Sequence, residues 1–492
     1  MHCRNTLVLL AVMGFGQLPA AVAQQPLRPP TVRTAEAPFR PVEPLQSAVV
    51  APAAYVSQPE DLQSEYVQPV GIFPRPVAWQ ALVQHALAAN PEIQAARCRA
   101  AARGARVPQA YSLPDPKLMT LVYLESIQTA AGPQDVVMSL SQKFPWFGKR
   151  SLRSQAAYHD AMAAYARAAA VELKVIERVK RAYFDLYFLQ RAAEETRKLE
   201  LRLGDVIEIA RDRYSAPGQQ KVGLEDVLLT EIELAKVKSD LVKLSQSQRR
   251  ARARLAGTLH LPPDTPIEAV AQLERRQPAH TAGLLVELSK SCQPELDARR
   301  REVCRDRSAT ELACRNYWPD VTVSFNWHEI GTDAISPVAN GRDAYSLGLG
   351  VNLPLYRNRL DAAVREARYN TAASRRRYLS AGDRFGAEVE SLYAQFSEHQ
   401  QLLAILEKEI LPRAERTLDL SVESYRTGRI QYQQLIDTYE LLLNYRIDYH
   451  KRVAMRAQAI ASLERAVGCA VTGETAEVAE PAEQLPAEPL PR

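Results

Sequence analysis

Four landmarks recur in the same order at a spacing of roughly 200 residues, and a repeat of that size has to be recognised before any fold is assigned. Asn90-Pro91-Glu92-Ile93 answers to Gln293-Pro294-Glu295-Leu296, each following one short apolar helix and opening another. LPDPKLMTLVYLE from Leu113 answers to WPDVTVSFNW from Trp318, and VVMSLSQKFPWFGKR from Val136 to YSLGLGVNLPLYRNR from Tyr345. Arg213-Tyr214-Ser215-Ala216-Pro217-Gly218 answers to Ser424-Tyr425-Arg426-Thr427-Gly428, and each runs on into an apolar-acidic helix. Each half therefore reads helix, strand, strand, long helix, turn, helix. The expected boundaries are residues 75–275 for the first half and 276–470 for the second.

The strand segments alternate with period two, the signature of a half-buried strand. Val321, Val323, Phe325 and Trp327 share one face against Thr322, Ser324, Asn326 and His328. Tyr345, Leu347, Leu349, Val351 and Leu353 oppose Ser346, Gly348, Gly350 and Asn352, and Val136, Met138 and Leu140 oppose Ser139, Ser141 and Lys143. Around Leu118 to Leu124 apolar residues fall on both faces.

The helices set the scale. From Ser151 to Tyr214 the only glycine or proline is Gly204. At ~1.5 Å per residue such a run reaches on the order of 95 Å. Ile176, Val179, Tyr183 and Leu186, then Leu199, Leu203, Val206 and Ala210, make an apolar stripe. Val389, Leu392, Phe396, His399, Leu403, Leu406 and Ile410 repeat at 3 and 4 in the second half. Both are coiled-coil seams that need partner helices, with His399 read as a packed or tunnel-facing side chain. Pro412 should kink the second long helix.

The ends read differently. Arg4, the apolar run Leu7 to Phe15 and Ala21-Val22-Ala23 form a signal peptide over residues 1–23. Residues 24–74 are a Pro-rich flexible leader, and 471–492 a disordered acidic tail. No apolar run of roughly 20 residues follows that could cross a bilayer as a helix. The cysteines beyond the signal, Cys98, Cys292, Cys304, Cys314 and Cys469, show no CxxC or Cys/His metal spacing. Spacing alone does not pair them, and they read as buried small apolar residues. A net charge of +5 leaves nucleic acid undecided on its own; no nucleic-acid partner is expected.

Strands in lipid must close into a barrel, because an open edge leaves backbone groups unsatisfied. Bacterial barrels need at least about 8 strands, and about four are available here, so several chains must share one wall. The aromatic-basic stretch QKFPWFGKR then falls where the barrel leaves the bilayer. Phe144, Trp146 and Phe147 suit that interface, Pro145 ends the strand, and Lys149 and Arg150 mark the wet side within reach of lipid phosphates. Pro354, Tyr356, Arg357 and Arg359 repeat the arrangement more weakly.

The doubled layout, the QKFPWFGKR junction, the RYSAPG…DVLLTEIEL segment at Arg213 to Leu234 and the YRTGRIQYQQLIDTYELL segment at Tyr425 to Leu442 resemble the TolC family of outer-membrane efflux proteins, over about Val77 to Gly468. The FPWFGKR wording is most similar to the heavy-metal efflux branch. The resemblance implies a mainly α fold with a small β part. It implies a homotrimer whose four strands per chain make a barrel of about 12 strands above a periplasmic helical tunnel, set in outer-membrane lipid. It also implies a periplasmic adaptor and an inner-membrane pump, proton-driven, with the channel itself passive and without cofactor. Adaptor contacts would lie at the tips, at Gly218, Val222, Gly223 and Leu224 and at Thr427, Gly428 and Arg429. The family's periplasmic gate, often two acids three residues apart after the second tip, falls here on Gln434 and Asp437, so the first acid is missing. In a trimer Asp437 would still place three carboxylates around one axis, where like charges repel, raise one another's pKa and attract cations. Glu225 and Asp226 occupy the equivalent stretch of the first half.

Other readings make distinct demands. A duct for drugs or for polypeptide secretion has the same fold, and neither seams nor strands tell these cargoes apart. A structural exported coiled coil predicts neither strand alternation nor doubling. An enzyme would show chemistry, and there is no GxSxG, HExxH or P-loop.

Overall fold

The computed structural model describes residues 73–215, 224–332, 335 and 341–472. The expected signal peptide, nearly all of the leader and all but the start of the tail lie outside the described residues, as do Gly218, Val222 and Gly223. The first half runs α1 (Trp79–Ala89), α2 (Pro91–Gly104), α3 (Arg106–Tyr111), β1 (Lys117–Thr129), β2 (Gly132–Phe144), α4 (Lys149–Ser215) and α5 (Leu224–Thr258). The second runs α6 (Ala282–Cys292), α7 (Pro294–Arg315), β3 (Val321–Ile330), β4 (Ala344–Val351), α8 (Arg357–Ile405), a π-turn (Leu406–Ile410), α9 (Leu411–Arg426) and α10 (Tyr432–Val467). The doubled order expected from the sequence is the order observed, with the short α3 added in the first half.

Each landmark elbow has a mechanical reason. Asn90 caps α2 by accepting from the Glu92 N–H at 2.9 Å, while Pro91 supplies a first-turn residue that needs no donor. Its amide then donates to the Thr258 carbonyl at the end of α5, at 2.9 Å. Gln293 repeats the device: its side-chain oxygen accepts from the Glu295 N–H, and its amide donates to the Arg465 and Ala466 carbonyls that α10 leaves open at its end. One side-chain amide in each half thus fastens the opening of that half to its own last helix.

α4 runs unbroken for 67 residues and is the spine of the molecule. Val179, Tyr183 and Leu186 are buried as expected, but the fourth member of that stripe is Val175; Ile176 stands only half-buried beside it. These side chains meet Leu82, Ile93, Leu255, Leu259 and Ile267 in one core cluster. Nearer the turns, Leu199, Leu203 and Val206 pack with Leu418, Leu435 and Ile436. Val389, Phe396, Leu403 and Leu406 of the second seam are likewise buried. His399 is half-buried there, and burial pushes its imidazole pKa down. Pro412 acts one step earlier than a simple kink: the helix widens into the π-turn over Leu406–Ile410 before it. A proline cannot donate and its ring crowds the carbonyl four residues back, and a wider turn relieves both.

The cysteines depart from the sequence expectation. None of the five is fully buried, and Cys98 is exposed.

Among the described residues no helix is long and apolar enough to cross a membrane.

Tyr183 pins both flanks of the first half. Its hydroxyl donates to the Val77 carbonyl at 2.8 Å and accepts from the Val270 N–H at 3.0 Å. Tyr183→Phe would leave both backbone groups without that partner, so we expect a loss of about 1–3 kcal/mol. A lower denaturant midpoint of the detergent-solubilised protein with unchanged helical circular dichroism would show it.

Candidate pore wall, junction and gate

The four strands form one antiparallel sheet in the order β1-β2-β3-β4. The register puts Leu118, Leu140, Phe325 and Leu347 in one row, and Met138, Trp327 and Tyr345 in the next row on the same face. The other face carries the row Ser139, Asn326, Ser346. Ser139 donates to Asn326 at 2.6 Å, and the Asn326 amide donates to Ser346 at 3.1 Å. One face is therefore mainly apolar, interrupted by Thr120 and Gln142, and the other mainly polar and hydrogen-bonded, interrupted by Met119, Leu121 and Val137. Leu347 and Leu349 are each 73% exposed, so nothing among the described residues of the single chain covers the apolar face there. Nor, among the described residues, does the sheet close on itself: β1 and β4 each have one neighbour. The mixed pattern of β1 is real, since Met119 pairs with Ser139 on the polar face while Leu118 sits on the apolar one.

The junction after β2 departs from the sequence reading. Lys149 does not reach outward to lipid phosphates; it is 3% exposed. Its ammonium donates to the Asp320 carboxylate at 2.7 Å and to the Trp318 carbonyl at 2.7 Å. Asp320 also accepts from the Trp146 N–H at 3.0 Å and pairs with Lys143 at 3.0 Å. Its own N–H donates to the Asn352 side chain, and its carbonyl accepts from the Asn352 N–H at 3.2 Å. Trp146 stacks on Trp318, with ring centres 5.3 Å apart and planes 10° from parallel. Arg150 is half-buried, donating to the Tyr111 carbonyl at 2.7 Å and lying over the exposed Tyr111 ring. Phe144 and Phe147 remain exposed, Phe147 at 83%. Gly148 takes a φ of +82°, which lets the chain turn between Pro145 and the start of α4.

Asp320 is thus the centre of a buckle tying β2 and α4 of the first half to β3 and β4 of the second. Burial alone would raise its carboxyl pKa; hydrogen bonds from Lys149, the Trp146 N–H and Lys143 outweigh that and hold it down at about 2. Sequence reasoning missed it, although the shared Pro-Asp of LPDP and WPD offered a signal.

The tips and the gate candidates are less connected. Leu224 opens α5, with Glu225 and Asp226 in its first turn. At the second tip α9 ends in a Schellman cap: the Gly428 N–H donates to the Tyr425 carbonyl at 3.0 Å and the Arg429 N–H to the Ser424 carbonyl at 2.8 Å, with Gly428 at φ +73°. Thr427 donates back to the Glu423 carbonyl. Gln434 and Asp437 both lie exposed on the first turns of α10, opposite its buried Tyr432, Leu435, Ile436 and Tyr439. Asp437 accepts from the Gln433 amide at 2.8 Å. Lys236 of α5 pairs with Glu440, one residue round from that face, and with Glu233. Among the described residues no group of three His, Cys, Asp or Glu side chains is placed to hold a metal ion.

The family model described as outer membrane efflux protein matches the chain at residues 82–259 and again at 285–469. The chain belongs to that family. A relative in sequence is the cobalt-zinc-cadmium resistance protein CzcC of Cupriavidus metallidurans. That protein is 24% identical to this one over 411 residues, 81% of this chain and 93% of CzcC. Among solved structures, the outer membrane protein VceC of Vibrio cholerae superposes with a TM-score of 0.66 at 21% identity, covering 80% of this chain and 96% of its own. The outer-membrane channel OprN gives 0.67 at 17%, covering 79% and 89%. CusC, whose structures concern transmembrane channel formation, gives 0.61 at 16%, covering 80% and 92%. The fold of this efflux protein is therefore that of outer-membrane channels, long helices carrying a small antiparallel sheet.

In this efflux protein the buckle makes a sharp demand on stability. Removing one partner of a buried ion pair strands the other charge, at about 3–5 kcal/mol. We expect Asp320→Asn to cost that much, and the Asp320→Asn/Lys149→Met double variant to recover most of it. Because the Asp320 pKa is depressed when folded, its stabilisation is fully present above the ordinary carboxylate value of about 3.9. That stabilisation is lost as pH falls through about 2. Acid-denaturation profiles of wild type and Asp320→Asn should therefore converge between those values and stay separated at neutral pH.

Proposed function

We propose that three copies of this chain close a barrel of about 12 strands and form the passive outer-membrane exit duct of a tripartite system exporting heavy-metal cations. The observation that carries the proposal is the open sheet. Its apolar face matches a lipid-facing wall, its polar face an aqueous lumen, and its edges β1 and β4 require neighbours. Added copies continue the antiparallel order, β4 of one beside β1 of the next. The long helices then prolong the cylinder into the periplasm, where the Schellman-capped tip at Thr427, Gly428 and Arg429 and the opening turn of α5 at Leu224 meet an adaptor. A proton-driven pump in the inner membrane supplies the energy. The choice of cargo follows the likeness to CzcC, a protein named for cobalt, zinc and cadmium resistance.

Purified protein in planar bilayers should give stepwise conductance from a species with the mass of three chains. A host lacking the gene should become several-fold more sensitive to cobalt, zinc or cadmium, with tolerance restored by the intact gene. Absence of pores under every condition would defeat the duct; pores with unchanged metal tolerance would defeat the cargo alone.

The exposed carboxylate of Asp437 fits the gate. Three such groups around one axis select for cations. We expect Asp437→Asn to lower cation preference, read as a smaller reversal potential in a salt gradient, and Gln434→Glu to increase it.

A further inference from the structure

Two thiols meet where the second half of the chain closes. Cys292 is the last residue of α6, and Cys469 follows directly on Gly468, the residue that caps α10. Gly468 has a φ of +94°, and a Cβ placed on it would lie 2.6 Å from both the Cys292 carbonyl oxygen and the Gln293 Cα. The two backbones therefore touch one residue from the thiols, and a disulfide needs Cα atoms only ~4.4–6.8 Å apart. The Cys292 side chain is a near neighbour of the Cys469 thiol. The contact is held on both sides: Gln293 donates to the Arg465 and Ala466 carbonyls at 2.9 and 2.8 Å, and the Ala279 N–H donates to the Val471 carbonyl at 3.0 Å. Cys469 packs against the cluster containing Leu285, Leu288, Leu463 and Val467.

We propose that Cys292 and Cys469 form a disulfide in the mature protein, locking the end of α10 to the α6–α7 elbow. An outer-membrane protein matures in an oxidising compartment, where such bonds persist. Two thiols are oxidised, and the electron pair passes to the disulfide of an exported thiol–disulfide oxidoreductase. Burial holds the Cys469 thiol protonated, with its pKa pushed up to about 12. Cys292, beside the exposed Ser291, is thus the thiol that opens the exchange. It attacks one donor sulfur as the donor S–S bond breaks. Cys469 then attacks the Cys292 sulfur of the mixed disulfide, passing its proton to the departing donor sulfur. The protein gains one S–S bond, and the donor leaves as a dithiol carrying both electrons and both hydrogens. The bond closes nearly the whole second half into one loop, so its main effect is to restrict the unfolded chain.

The test uses the full-length protein from outer membranes, harvested into N-ethylmaleimide with denaturant and chelator, so that neither reshuffling nor a bound metal mimics protection. After tryptic digestion without reductant, the peptide Ser291–Arg299 should be recovered joined to the peptide beginning at Ala466, and reductant should separate them. In C469S the Cys292 peptide should become alkylated, and in C292S the Cys469 peptide should. Recovery of both wild-type peptides only as alkylated singles would overturn the proposal, and so would a bond from either residue to Cys98, Cys304 or Cys314. The wild-type measurement decides the matter even if a serine variant fails to assemble.

Discussion

The sheet has two open edges, and the architecture follows from that fact. A strand with one neighbour presents a row of backbone donors and acceptors, and hydrocarbon offers them nothing. Helices and closed barrels escape the problem, and four strands are too few to close. The apolar row Leu118, Leu140, Phe325, Leu347 sharpens the demand, because a face so exposed in one chain needs a solvent other than water. The wall of the proposed duct is thus a property of the assembly, while the helical spine α4 and its cores belong to the single chain.

The buckle around Asp320 transmits one part to the other. A sheet of two hairpins, one from each half, would hinge freely on its helices without something rigid between them. Lys149 at the head of α4, Asp320 at the foot of β3 and Asn352 past the end of β4 supply it, with Trp146 stacked on Trp318 as the cover. The low exposure of Lys149 makes the pair costly to break and sensitive to geometry, as expected of a joint that fixes angle. Phe144 and Phe147 stay exposed while the Lys149 ammonium turns inward.

Most of what depends on periodicity was legible in the sequence. Strand faces came from alternation, seams from 3–4 spacing, and doubling from ordered landmarks, so the fold and the sheet edges could be read directly. Misreadings cluster where the deciding partner is remote. Lys149 and Asp320 lie 171 residues apart, and no local pattern marks such a pair, so a buried lysine passed for a surface one. The proposed partners Cys292 and Cys469 are slightly farther apart in sequence and equally silent. Val175 and Ile176 are neighbours of like character, and a one-residue choice on a helix face is settled by packing alone. The gate expectation at Asp437 came from likeness rather than from local chemistry, because its meaning depends on other copies of the chain.

The two elbow amides carry a consequence for how the chain matures. Asn90 reaches the end of α5 across 168 residues, and Gln293 reaches the end of α10 across 173. Loop-closure entropy depends only weakly on length, so the two knots are nearly isoenergetic to tie. The N-terminal knot involves nothing synthesised later. A polypeptide that emerges N-terminus first therefore holds both partners of that knot before Gln293 appears, whereas the cores along α4 wait for α9 and α10.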